Sequence, residues 1–499
     1  METFNDLLMG FSVVFQPEIL LYAFAGCFLG TLTGVLPGIG PLAGIALLLP
    51  ITYGMDATAA IILLAGIFYG AQYGGSITAI LANIPGEVSS IITCVDGHEM
   101  AKKGRAGPAL GITAFGSFIG GTIGTIGLMV LAIPLSNVAL KLGPSEFFAL
   151  MILAFVLLTA ISRGSVVKGL IMVTFGYMLS AIGIDPVGGG QRFTFDTTHL
   201  KSGLDIAPLA IGLFGLSEVL MTAEGSVKTS IETFKASFRS YFPGRKDWRD
   251  SGLPILRGTI LGFLIGAIPG GGVLLASFAS YAVEKQFSKR PEKFGTGVIE
   301  GVAGPETANN AASSGSFVPL FSLGIPSSAV AALFLGALMI HGIQPGPLFI
   351  SQHSQIFWGV IASMYVGNVM LLILNLPLIP MWVQLLKVPQ KILLPLILLF
   401  CTVGSYGVNN NILDVLTMAI FGLVGYVLRK LDYEIAPICL AFVLGPMLEN
   451  AFRQALIISD GSIMQMVTRP ITATILSIAV VLLVLVAFRR RGFPEVEWQ

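Results

Sequence analysis

The chain has 499 residues, of which 54% are hydrophobic and 11% charged, and a formal net charge of +1; its mean hydropathy is +0.85. A soluble domain carries about 25% charged residues, so this composition excludes a soluble globular protein, and the near-zero net charge excludes a nucleic-acid footprint. Segments such as Gly107 to Leu135, Ile356 to Leu376 and Ile471 to Phe488 are long enough to cross ~30 Å of hydrocarbon, which makes a bilayer the solvent.

Residues 1–101 contain no Lys or Arg. The amino end therefore lacks the basic n-region of a cleaved signal peptide, and its first helix is expected in the mature chain. Glu18 to Ile51 is predicted to be a re-entrant hairpin, because too few residues flank Pro37-Gly38-Ile39-Gly40 for two full crossings. Ala57 to Val95 crosses inward with a break at Asn83-Ile84-Pro85-Gly86, and four crossings follow near 107–135, 146–162, 168–183 and 206–222. These elements form a first repeat, 1–223. Residues 224–256 are a cytoplasmic connector, either amphipathic or flexible; between Glu224 and Arg257 lie seven basic and four acidic residues. A second repeat, 257–450, has its own hairpin at Pro269 to Gly272 and a break at Gly324 to Ser328. Residues 451–499 add a last helix and the tail Arg489-Arg490-Arg491. The expected fold is an all-α polytopic membrane protein of two inverted-topology repeats, with about eleven crossings and two re-entrant hairpins, the N-terminus periplasmic and the C-terminus cytoplasmic.

The repeat is written in the residues. Leu29-Gly30-Thr31-Leu32-Thr33-Gly34-Val35-Leu36-Pro37-Gly38-Ile39-Gly40 returns as Leu261-Gly262-Phe263-Leu264-Ile265-Gly266-Ala267-Ile268-Pro269-Gly270-Gly271-Gly272, and Ile84-Pro85-Gly86 returns as Ile325-Pro326-Ser327. Basic charge changes sides between matched loops. Lys102, Lys103 and Arg105 face the uncharged stretch His341 to Gln344, and Arg163 and Lys168 face Val408 and Leu413. Conversely, Arg429 and Lys430 face Ser180 and Ala181, while Lys285, Lys289, Arg290 and Lys293 face Tyr53 to Asp56. An inverted repeat predicts that flip, and a parallel repeat predicts the reverse.

Broken helices in corresponding positions of two halves point to the substrate site of a secondary transporter, since unwound backbone at membrane depth must line a cavity or be buried in protein. The breaks place Gly38, Gly40, Asn83, Gly86, Gly270, Gly272, Ser327 and Ser328 as substrate-binding residues. No Lys or Arg lies in the broken segments. A bound anion would be held by backbone N–H groups and positive helix ends, aided by Ser, Thr and Asn side chains, which suits compact multivalent carboxylates. Glu306, Asn309 and Asn310 stand in a segment of small and apolar residues, and such groups mark a functional site by default. Their oxygens suit a coupling Na⁺, while Glu306 alone could carry H⁺; the plain alternative is that the asparagines cap a helix end and Glu306 faces a cytoplasmic vestibule.

Other residues have ordinary readings. Cys27, Cys94, Cys401 and Cys439 show no metal-ligand spacing and read as small core residues. His98, His199, His341 and His353 lie apart, with no His-Glu-x-x-His or Gly-x-Ser-x-Gly to support an intramembrane enzyme. Repeated filter loops and acidic rings, which would suggest an ion channel, are also missing from the sequence. Trp358 and Trp382 read as interfacial anchors, and the glycines of Gly116 to Gly127 as helix-packing positions.

The chain resembles the large membrane subunit, TctA-type, of the tripartite tricarboxylate transporter family. The likeness rests on Gly34 to Gly40, Gly75-Ser76, Ile84-Pro85-Gly86, Asp96-Gly97 and Ile268-Pro269-Gly270, and is strongest at Glu284-Lys285, Phe294-Gly295, Gly301 to Ala312, Gly324-Ile325-Pro326 and Pro345-Gly346-Pro347. It extends to Gly425 to Lys430 and Leu444 to Glu449. The resemblance implies a translocation subunit that works with a small membrane subunit and receives substrate from a periplasmic binding protein in the bacterial inner membrane. Citrate-like di- or tricarboxylates are the implied cargo, with Na⁺ or H⁺ as driving ion, no other cofactor, and self-association left open. A stand-alone ion-coupled organic-anion carrier is the alternative. Ser327 departs from the Gly expected after Ile325-Pro326, which puts a hydroxyl into that turn.

Overall fold

The computed structural model describes residues 2–36, 39–161, 166–185, 188–224, 238–386 and 388–489, and nearly all of them are helical. Pro37, Gly38, Arg163, residues 225–237 of the connector, Arg490 and Arg491 lie outside the described residues. Among the described residues, seven helices are long and apolar enough to cross a membrane, including Pro17–Val35, Ala57–Ala82, Ala106–Ala139 and Ser354–Asn375. Other expected crossings fall on shorter apolar helices such as Val166–Ser180 and Ala329–Ile340.

The chain divides into two compact units, residues 1–136 with 207–426 and residues 137–206 with 427–499. In the first unit, helix Pro17–Val35 packs along helix Ala57–Ala82, and helix Arg245–Gly266 along helix Glu300–Leu323. Both pairs close on a glycine stripe. A methyl group on Gly30 would sit 2.7 Å from Ile67 Cα, and one on the matched Gly262 would sit 2.6 Å from Ala308 Cα. Backbones this close need small residues, and dispersion between the helices replaces the hydrophobic drive that lipid does not supply. Asp56 starts the Ala57–Ala82 helix by accepting from Thr58 N at 2.9 Å, an N-cap that satisfies one of its free donors.

The two halves interlock. Within the first unit, residues Ile211–Leu216 lie against helix Gln390–Asn409. Within the second unit, helix Ala436–Ile458 lies on Pro144–Ile161 and Val166–Ser180. A two-residue antiparallel ladder pairs Gly183 with Arg192 and Ile184 with Gln191. Its turn is held to the Ala436–Ile458 helix by Asp185, Arg192, Glu449 and Arg453, whose ion pairs span 2.6–3.1 Å.

Three features differ from the expectations. Helix Glu2–Val14 precedes the first hairpin and packs on Ser354–Asn375. Helix Arg245–Gly266 starts within the expected connector and runs through residue 257. Trp358 and Trp382 are each 1% exposed, so they are core residues instead of interfacial anchors; the Trp382 indole N–H donates to Leu374 O at 2.9 Å, which removes its need for an aqueous partner.

Candidate functional site

The breaks adopt matching backbone conformations. Helix Ala57–Ala82 ends on Asn83 at φ 55°, and helix Glu300–Leu323 ends on Gly324 at φ 72°. Both left-handed residues precede Ile-Pro, and a proline there cannot extend the helix. The hairpin tips agree as well, with Gly40 and Gly272 both at φ 59°.

Tips and breaks meet in pairs. A Cβ on Gly40 would lie 3.6 Å from Glu87 Cβ, and one on Gly272 would lie 4.0 Å from Ser328 Cβ. In the second half, Gly270 N also donates to Ser327 O at 2.9 Å. The residue after each Pro-Gly or Pro-Ser step caps the next helical turn: Glu87 Oε2 accepts from Ser89 N at 3.1 Å, and Ser328 Oγ accepts from Ala331 N at 3.2 Å. The first pair therefore already holds a carboxylate. The second pair brings the starts of helices Gly272–Phe287 and Ala329–Ile340 together, beside the buried Ser327 hydroxyl, which has no hydrogen-bond partner among the described residues. Gly38 lies outside the described residues.

Glu306, Asn309 and Asn310 occupy the middle of helix Glu300–Leu323 and are 1–2% exposed. Their depth argues against helix capping and against a carboxylate facing an open vestibule. Spacings of three and four place them on one helical face. Their side-chain bonds beyond their own helix run to the first half, away from the second-half break that follows them in sequence. Glu306 Oε1 accepts from the Thr93 hydroxyl, Asn309 Nδ2 donates to Glu87 Oε1 at 3.2 Å, and Asn310 Nδ2 donates to Ser117 Oγ at 2.7 Å and Glu306 O at 3.1 Å. Three acceptors, Glu306 Oε2, Asn309 Oδ1 and Asn310 Oδ1, are buried with no hydrogen-bond partner among the described residues. Hard oxygen acceptors in that state suit a cation.

Glu87 was not singled out from the sequence, although a signal existed. It is a carboxylate directly after Ile84-Pro85-Gly86, and Gly75 makes room for it: a methyl group on Gly75 would sit 2.6 Å from Glu87 Cγ. Asp96 was visible only as part of a turn motif. Its carboxylate accepts from Gly297 N at 2.7 Å, Gly295 N and Val298 N at 3.0 Å and the Tyr281 hydroxyl at 2.9 Å. This joins Asp96-Gly97 to Phe294-Gly295, two motifs far apart in sequence, immediately before helix Glu300–Leu323. Gly301 and Gly304 of the strongest motif admit Asp96 and Glu284, with methyl groups there 2.9 Å from the Asp96 and Glu284 Cγ atoms. Glu284 is itself buried and holds Arg257 through both carboxylate oxygens, one bond measuring 2.8 Å.

Comparison with known proteins identifies relatives along the whole chain. A family model described as tripartite tricarboxylate transporter TctA family matches residues 20–440. An Agrobacterium vitis protein named "Uncharacterized 52.8 kDa protein in TAR-I ttuC' 3'region" is 46% identical over 485 residues, covering 97% of this chain and 96% of its own. A second from the same organism, "Uncharacterized protein in TAR-II ttuC' 3'region", is 52% identical over 224 residues, covering 45% of this chain and 93% of its own. No solved structure matches.

Proposed function

We propose that this chain, which belongs to the tripartite tricarboxylate transporter TctA family, is the large membrane subunit of a binding-protein-dependent secondary transporter that imports a citrate-like di- or tricarboxylate across the bacterial inner membrane, driven by Na⁺ or H⁺. The observation that carries this reading is the meeting of two matched helix breaks in each half, with φ 59° at both Gly40 and Gly272.

The second-half pair suits the anion. Two helix starts converge there, and each presents free N–H groups and a positive dipole end. Gly270 and Gly272 let backbone come close, while Ser327 and Ser328 add hydroxyls. In the first half, Gly40, Asn83 and Gly86 form the counterpart wall. Glu306, Asn309 and Asn310 supply the coupling cation with oxygens, and that cation offsets the charge of the incoming carboxylate. A small membrane subunit and a periplasmic binding protein complete the machine.

Radiolabelled citrate and a panel of other di- and tricarboxylates test this in cells making all three components. The reading expects saturable uptake that disappears when any one component is omitted. Equal uptake by the chain alone would contradict it and favour a stand-alone carrier.

A further inference from the structure

We propose that Glu87 is the second carboxylate of the coupling site, and that the two halves of the chain together hold two Na⁺ ions, one for each carboxylate. The inference rests on the placement of the coupling site at Glu306, Asn309 and Asn310.

Charge carries the first part of the argument. Glu87 is 5% exposed and Glu306 1%. Glu87 accepts from Ser89 N at 3.1 Å, from the Ser89 hydroxyl and from Asn309 Nδ2 at 3.2 Å, and Glu306 accepts from the Thr93 hydroxyl. All of these donors are neutral. Among the described residues neither carboxylate has an ion pair, and Arg257 on the neighbouring helix is taken up by Glu284. Neutral hydrogen bonds orient a carboxylate without cancelling its charge, so two buried carboxylates linked through one asparagine call for two positive charges from outside the chain.

The oxygens carry the second part. Asn309 and Asn310 turn their amide nitrogens toward protein acceptors, which leaves Oδ1 of each, together with Glu306 Oε2, buried without a hydrogen-bond partner. A proton on Glu306 would engage one of these acceptors. Cations with oxygen shells take several oxygens at once, and these three acceptors include no nitrogen or sulfur that would favour a softer metal. Position supplies the consequence. Glu87 backs onto Gly40 at the first hairpin tip, while Glu306 belongs to the second half, so ions held between them tie the halves together and make the tip conformation depend on ion occupancy.

Equilibrium binding of ²²Na⁺ to the purified full-length chain tests this without knowledge of the substrate. We expect about two ions per chain in the parent, about one in Glu87→Gln and in Glu306→Gln, and none in the double variant, since each neutralised carboxylate removes one site. Glu87→Asp keeps the charge but shortens its reach. It should retain two ions and weaken one of them about tenfold, which keeps the proposal testable if Glu87→Gln does not fold. A parent that binds one ion, kept in Glu87→Gln and lost in Glu306→Gln, would overturn the role of Glu87 and leave the coupling site at Glu306. A parent with no saturable ²²Na⁺ binding would overturn the proposal together with Na⁺ as the coupling ion.

Discussion

Single residues set the chemistry, and the sequence exposed some of them by contrast alone. Glu306, Asn309 and Asn310 are conspicuous in a run of Gly, Ala and Ser, and the structure buries all three on one helical face. Glu87 and Asp96 were less legible, because a carboxylate after a turn reads as a local cap until its long-range partners are known. Asp96 reaches Gly295, Gly297 and Val298 some two hundred residues away, a relation that no local pattern encodes. Three predictions belong here. Glu306→Gln should raise the half-saturating Na⁺ concentration for uptake about tenfold or more if the carrier uses Na⁺, or flatten the pH dependence if it uses H⁺. Asn309→Ala should act mainly on substrate and ion affinity, which are linked reciprocally. Titrations of uptake against Na⁺ at fixed pH, and against pH without Na⁺, read both. Asp96→Ala removes the shared acceptor of three backbone N–H groups and the Tyr281 hydroxyl, at about 0.5–1.5 kcal/mol for each bond lost. Thermal unfolding in detergent should show a clear loss of stability, and an unchanged melting profile would contradict the clamp.

Helices and breaks are the next scale, and here the residue pattern was most informative. Pro and Gly at matched positions marked the interruptions, and Asn83 with Gly324 and Gly40 with Gly272 share left-handed conformations. Helix Glu2–Val14 and the start of Arg245–Gly266 were harder to read, since a short apolar stretch and a charged first turn look like a terminus and a linker until their packing is known. The tryptophans mislead for a similar reason: proximity to a helix end suggests the membrane interface, but neighbouring helices cover both rings. Gly270 sits at φ 82°, where a β-branched side chain is strained by about 1–3 kcal/mol. Gly270→Val should therefore abolish uptake while the protein still inserts at normal membrane level, as quantified by immunoblot alongside transport. Normal affinity and rate in that variant would reduce the tip to a packing device. Gly262→Val should instead lower the amount of folded protein, because it forces apart two helices in backbone contact.

At the scale of the whole molecule, the repeats expected at 1–223 and 257–450 follow the motif order, whereas the compact units cut across them. The reason is interlocking: residues Ile211–Leu216 of the first half pack on Gln390–Asn409 of the second, and Ala436–Ile458 packs on Val166–Ser180. Motif order is written along the chain, while exchange of partners between halves depends on which faces fit. The inverted topology makes its own prediction from the flip of basic charge. In a cysteine-free background, single cysteines at Met55 and Gln344 should label from the periplasm, and those at Lys103 and Lys289 should not. Labelling of Met55 and Lys289 from the same side would remove the inverted arrangement.

The central claim is that paired breaks and a buried oxygen site couple ion entry to carboxylate import. Its most direct test is uptake of radiolabelled citrate, or of the best substrate from the panel, into proteoliposomes containing both membrane subunits and supplied with the binding protein. An inward Na⁺ or H⁺ gradient should drive accumulation above the external concentration, and collapsing that gradient with an ionophore should stop it. Substrate that merely equilibrates across the membrane, at a rate indifferent to either gradient, would contradict the account.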